Sequence, residues 1–168
     1  MVGGVEAAVG EVAGANQQWS IESGSAIVAT IMITLDLSSL TKALGQLEQG
    51  LSESRAAPGD ELRRDGVIQR FEYSYELSVR MLKRFLEMSG STPGAIDAMS
   101  FPDVIRTAAE QRLLRTGWPA WREYRTARGT TSHTYDAEKA RAVFAVIPSF
   151  LDDARFLLVS LAQRTTRP

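Results

Sequence analysis

From Leu37 to Leu161 the large apolar side chains recur three and four residues apart, and that spacing leaves little room for any architecture except packed helices. Leu37, Leu40, Leu44, Leu47 and Leu51 form one such stripe. Ile68, Phe71, Tyr75, Val79, Leu82 and Leu86 form a second, widened by Leu77, Met81 and Phe85. Ala140, Val143, Ile147, Leu151, Ala154, Leu158 and Leu161 form a third. No stretch alternates apolar and polar residues as a half-buried strand does.

The punctuation divides these stripes into elements. Asp36 and Asp60 are N-cap types ahead of helices expected to reach Ser54 and Met88, and Pro58-Gly59 separates them. Ser100-Phe101-Pro102-Asp103 has capping-box spacing and predicts a third helix to about Leu114. Thr116-Gly117 breaks the chain, and Trp118-Pro119 restarts it toward Arg128, where Gly129 is placed to stop the helix. Asp136 caps the last helix, in which Pro148 predicts a kink. The expected fold is all-α: an antiparallel four-helix bundle with one additional short helix.

Residues 1–31 carry no stripe and are rich in Gly, Ala, Val and Ser, so the bundle is expected over 32–168, with 1–31 a loose extension or a mis-assigned start. That first segment has three glutamates and no Lys or Arg, unlike a signal peptide. Its longest apolar runs are too short to cross a bilayer. The absence of cysteine excludes disulfides, thiol nucleophiles and thiolate metal sites, and is compatible with a reducing compartment. The expected location is cytoplasmic, with no membrane partner.

One segment concentrates chemistry. His133, the single histidine, stands in the polar run Arg128-Gly129-Thr130-Thr131-Ser132-His133-Thr134-Tyr135. A break at Gly129 would let Arg128 and His133 converge, with Tyr135 and the amides of the last helix at the same opening. Such a set can cleave a phosphodiester through the ribose 2′-hydroxyl, His133 moving the proton and Arg128 stabilising charge on phosphorus, with no metal or cofactor required. The competing reading is structural: Arg128 neutralises a helix C-terminus and His133 is merely exposed.

Upstream, residues 106–128 hold six arginines against two glutamates, and arginine suits bidentate phosphate contact. Arg122 and Arg125, with Thr131 and Ser132, are the expected contacts to RNA or a nucleotide. Trp118, Trp121 and Tyr124 are candidates for stacking on bases, although Trp121 reads better as core. Glu72 and Glu76, one turn apart, lack the histidine partners of a carboxylate-bridged metal site. Glu76 with Arg80, and Glu87 with Lys83, are expected as surface ion pairs.

Taken together, Phe71-Glu72-Tyr73-Ser74-Tyr75-Glu76-Leu77, Leu82-Lys83-Arg84-Phe85-Leu86-Glu87, Trp121-Arg122-Glu123-Tyr124-Arg125 and the Arg128 to Asp136 run resemble the nucleotidyltransferase substrate-binding proteins, compact HEPN-type helical bundles. The likeness covers roughly Leu35 to Leu161. It implies a homodimer paired with a separate minimal nucleotidyltransferase, in toxin–antitoxin fashion. In toxin members the residues matching Arg128 and His133 serve a metal-independent endoribonuclease. The tyrosine matching Tyr135 receives adenylate from the partner and the nuclease is silenced. One departure stands out: the family usually has a polar residue, often asparagine, after the arginine, where this chain has Gly129.

Overall fold

The computed structural model describes residues 34–90, 92, 94–133 and 135–165; the extension expected over 1–31 lies outside these, as does Thr134 of the motif. Among the described residues the chain is helical throughout, with no strand: α1 (Ser38–Ala56), α2 (Glu61–Ser89), α3 (Phe101–Glu110), α4 (Trp118–Thr130), a single 3-10 turn (Thr131–His133) and α5 (Ala137–Thr165). The all-α bundle expected from the stripes is the observed fold. Its proportions differ, for three helices are long and two, α3 and α4, are short.

The caps explain the boundaries. Asp60 accepts the amide of Arg63 at 3.1 Å, and Asp136 accepts the amide of Glu138 at 2.9 Å. Ser100 accepts the amide of Asp103 and donates its hydroxyl to the Asp103 carboxylate at 2.5 Å. Asp36 instead accepts from Ser38 at 2.9 Å, and α1 starts after Leu37.

The third helix ends at Glu110, short of Leu114, for a reason no glycine announces. Arg112 takes a left-handed conformation, φ 56°, while its amide bonds to Ala109 O and the Leu113 amide reaches back to Ala108 O. These are the paired bonds of a Schellman ending, with buried Leu113 packing beyond the helix. Leu113 and Leu114 are thus core residues of a connection, not of a helix.

Inside, α2 is the central element, packed against α1 and α5 along its length and against α4 across its middle. Leu40, Leu44, Leu47 and Leu51 of α1 meet Ile68, Phe71, Tyr75, Leu82 and Leu86 of α2 in the core. Along α5 the helix runs unbroken through Pro148, and beyond it the buried stripe includes Phe150 and Leu157, with Leu158 only partly covered. An aromatic junction fills the space between α2, α4 and α5: Phe71 meets Phe150 edge-on at 5.0 Å, Tyr124 meets Phe150 at 5.5 Å, and Trp121 meets Tyr124 at 5.8 Å. Trp121 is fully buried, as expected of a core residue.

Beside that junction sits a buried carboxylate. Asp153 of α5 is 0% exposed and accepts Arg115 Nε at 2.7 Å, Thr116 Oγ1 at 2.5 Å and Tyr124 OH at 2.6 Å. A buried charge is tolerable only when paired and hydrogen-bonded, and this one has three donors. It ties α5 to the connection between α3 and α4, fixing where α4 starts. Asp153→Ala leaves the Thr116 and Tyr124 hydroxyls without their acceptor and Arg115 without its anion; a loss of roughly 2–4 kcal/mol in unfolding free energy is expected by urea titration, with Asp153→Asn costing less.

Candidate functional site

The corner where α4 hands over to α5 contains the motif. Helix α4 does not stop at Gly129: it continues to Thr130 and passes into the 3-10 turn, with Thr131 still in right-handed helical geometry. The expected glycine break is therefore absent, because Thr131 supplies the ending instead, its hydroxyl donating to Arg128 O at 2.9 Å. Gly129 is exposed, and no heavy atom lies within 4 Å of where a Cβ would stand.

Arg128 reaches away from the turn toward α2. Its Nη2 contacts Glu72 Oε1 at 3.0 Å and also binds Glu76 Oε1, which accepts Nε at 3.1 Å as well. Its Nη1 donates to Thr131 Oγ1 at 3.4 Å. The guanidinium is thus held between two carboxylates, and the planar fork that fits carboxylate oxygens also fits phosphate oxygens. Glu76 is committed to Arg128 rather than to the expected Arg80. Glu87 likewise does not pair with Lys83: its carboxylate accepts the amides of Gly94 and Ile96, the latter at 3.3 Å, and fastens the connection leading to α3.

His133 and Tyr135 are on the surface. The imidazole and phenol rings stand edge to face with centroids 6.3 Å apart, and Tyr135 is 86% exposed. Ser132 is exposed beside them, while Thr131 is buried. The structure therefore brings His133 and Tyr135 together directly, whereas the Arg128 guanidinium turns to Glu72 and Glu76 and bonds to the turn at Thr131.

Of the other expected contacts, Arg122 and Arg125 are exposed on α4. Arg125 lies over the Phe101 ring at 5.0 Å. Two of the three stacking candidates are spoken for: Trp121 is core, and Tyr124 is buried with its hydroxyl on Asp153. Burial, with the Asp153 carboxylate adding to it, pushes the Tyr124 phenol far above its usual range. Trp118 is half-buried, edge-on to Phe101 at 6.0 Å. Arg115 and Arg106 are paired with Asp153 and Asp103. The arginine-rich stretch is consequently less available than its count implies.

Sequence reasoning missed two features. Glu72 and Glu76 were legible as one face of α2, four apart, but nothing local names an arginine 52 residues away from Glu76 as their partner. Asp153 had a signal: it falls three residues after Phe150 and four before Leu157, hence on the buried face. Among the described residues no three His, Cys, Asp or Glu side chains gather as a metal-binding group.

The family model described as nucleotidyltransferase substrate binding protein like matches residues 35–163, a span that takes in α1 to α4, the motif corner and all but the last two residues of α5. The chain belongs to that family. A curated relative, the probable ribonuclease HepT of Haemophilus influenzae, is 46% identical over 99 residues, covering 59% of this chain and 67% of its own. A solved Haemophilus influenzae structure, described as revealing the fold of a substrate-binding domain of a nucleotidyltransferase, superposes with a TM-score of 0.71 at 37% identity. It covers 76% of this chain and 100% of its own. A Thermus thermophilus protein superposes with a TM-score of 0.52 at 32% identity, over 76% of this chain and 99% of its own. Among the described residues of this family member, no helix is long and apolar enough to cross a membrane.

One electrostatic consequence can be measured. Burial raises the Tyr75 phenol to about 12, against an ordinary value of 10. A raised folded-state pKa means that Tyr75 contributes stability fully present below pH 10 and lost as pH climbs from 10 toward 12. Urea titrations across that alkaline window should show a shallower loss of stability in Tyr75→Phe than in the parent chain.

Proposed function

We propose that this chain is the substrate-side subunit of a two-component, toxin–antitoxin-like system, partnered by a minimal nucleotidyltransferase, and that it is a metal-independent endoribonuclease silenced by adenylylation of Tyr135. The observation that carries this reading is the pairing of an 86% exposed phenol with the single histidine at 6.3 Å between ring centroids. A group attached to that phenol places bulk and negative charge over the imidazole. The name of the Haemophilus ribonuclease relative supports the nuclease, and the substrate-binding-domain fold of the solved neighbour supports a transferase partner.

The nuclease step follows from acid–base chemistry. His133 takes the proton of a ribose 2′-hydroxyl as its oxygen attacks the adjacent phosphorus, the bond from phosphorus to the 5′-oxygen breaks, that oxygen takes a proton from water, and a 2′,3′-cyclic phosphate remains. Arg128 stabilises the extra charge on the phosphoryl oxygens, which compete with Glu72 and Glu76 for the same fork. In silencing, the Tyr135 oxygen attacks the α-phosphorus of ATP bound by the partner, pyrophosphate departs, and the phenolic proton passes to a base. Arg122, Arg125 and Ser132 flank the corner as contacts for the RNA strand, with Thr131 positioning Arg128. A homodimer that sets two such corners along one groove, in the cytoplasm, completes the reading.

The test separates the parts. His133→Ala should abolish RNA cleavage, a loss of at least about a hundredfold for an acid–base group, with an unchanged circular dichroism spectrum. Arg128→Lys should also cleave poorly, since lysine keeps the charge and loses the fork. With a partner minimal nucleotidyltransferase and ATP, the parent chain should gain the mass of one or more adenylates and Tyr135→Phe none. Cleavage unaffected by His133→Ala, with no mass gained, would leave a helical adaptor without nuclease activity.

A further inference from the structure

A groove of about 430 Å³ opens between α2, α3 and α4, next to Arg128, with Tyr75, Lys83, Phe101, Arg125 and Gly129 among its walls. Three of its lining side chains, Lys83, Arg125 and Arg128, are cationic, and Glu76 is the acid among the residues lining it. Arg128 is neutralised by Glu72 and Glu76, whereas Lys83 and Arg125 have no ion-pair partner among the described residues. The uncompensated charge of the groove is therefore positive.

One of its lining side chains, Tyr75, carries a hydroxyl without a protein partner among the described residues, and the residue is only 7% exposed. A hydroxyl carried by a groove-lining side chain and bonded to no protein group is met by water or by a ligand atom. The guanidinium groups of Arg125 and Arg128 are near enough to act on the Tyr75 phenol electrostatically. Arg125 presents one face to the Phe101 ring and is otherwise exposed. An open guanidinium face backed by an aromatic ring is a stacking surface for a nucleobase.

Gly129 shapes the opening. The glycine stands within α4, where Gly costs helix stability relative to other residues, yet no neighbouring atom crowds the space a side chain would fill. Packing does not require it. What it does is keep the groove wall low beside Arg128.

Resting on the ribonuclease reading above, we propose that this groove is a nucleotide subsite that seats one unit of a single-stranded RNA next to the scissile phosphate: its base on Arg125, its phosphate near Lys83, and a polar atom on the Tyr75 hydroxyl. RNA, rather than a free nucleotide, is the occupant the geometry favours, because the groove is open and continues to Arg128. The departure at Gly129 is then a widening of the substrate path.

The experiment measures binding of a short fluorescent single-stranded RNA by anisotropy in the His133→Ala background, so that cleavage does not intrude, and cleavage separately with His133 intact. Tyr75→Phe, which deletes only the unpartnered hydroxyl, should weaken binding several-fold with the melting temperature unchanged. Gly129→Leu should weaken binding about tenfold, the loss of one stacked base, while melting at the same temperature or higher. The Lys83→Ala, Arg125→Ala double variant should weaken binding and lower the slope of log affinity against log salt by about 0.7, as expected when the one single-strand phosphate contact at Lys83 is lost. Binding unchanged in all three variants overturns the subsite, whether or not His133→Ala abolishes cleavage. Loss of cleavage in His133→Ala alone bears only on the nuclease reading, so the two fail separately. AMP or ATP competing at the affinity of the RNA would assign the groove to a free nucleotide and overturn the proposal as well.

Discussion

The position of α4 depends on one buried aromatic junction. Trp121 and Tyr124 project from that short helix onto Tyr75 and Phe150, which in turn pack on Phe71, and the rings meet edge-on or tilted, as aromatic quadrupoles favour. A helix of this length has little stability of its own and takes its place from what it buries. Once the two aromatics are seated, the next turns carry Arg125 over Phe101 and Arg128 toward Glu72 and Glu76. The functional corner is thus a by-product of core packing, set one and two turns beyond the anchor.

The Asp153 carboxylate completes that placement from the other side. Its three hydrogen bonds come from Arg115, Thr116 and Tyr124, so one buried anion holds the connection before α4 and an aromatic within it. The arrangement also explains why an arginine-rich stretch does not form a continuous basic surface. Arg115 and Arg106 are spent on carboxylates within the fold, and only part of the stretch faces solvent unpaired.

Much of this was readable from residue order. The stripes on α1, α2 and α5 identified the core faces, and Asp60, Ser100 and Asp136 marked helix starts because their side chains bond to nearby amides. Endings were harder. A glycine after Arg128 looked like a stop, but the threonine hydroxyl at 131 performs the ending, and the true left-handed terminus belongs to Arg112, a residue type that gives no hint of it. The motif residues were visible from their chemistry, whereas their partners were not. Pairings such as Arg128 with Glu76 join distant segments, and no local pattern encodes which distant segment will arrive.

That long separation has a kinetic side. Glu72 and Glu76 leave the ribosome well before Arg128, and Tyr124 and Thr116 precede their acceptor Asp153 by 29 and 37 residues. Contacts of such high order form after local helices and carry the entropy of closing large loops. Phe150 and Asp153 of α5 anchor Tyr124 and the start of α4, so the geometry of the corner depends on the last helix as well as on those before it.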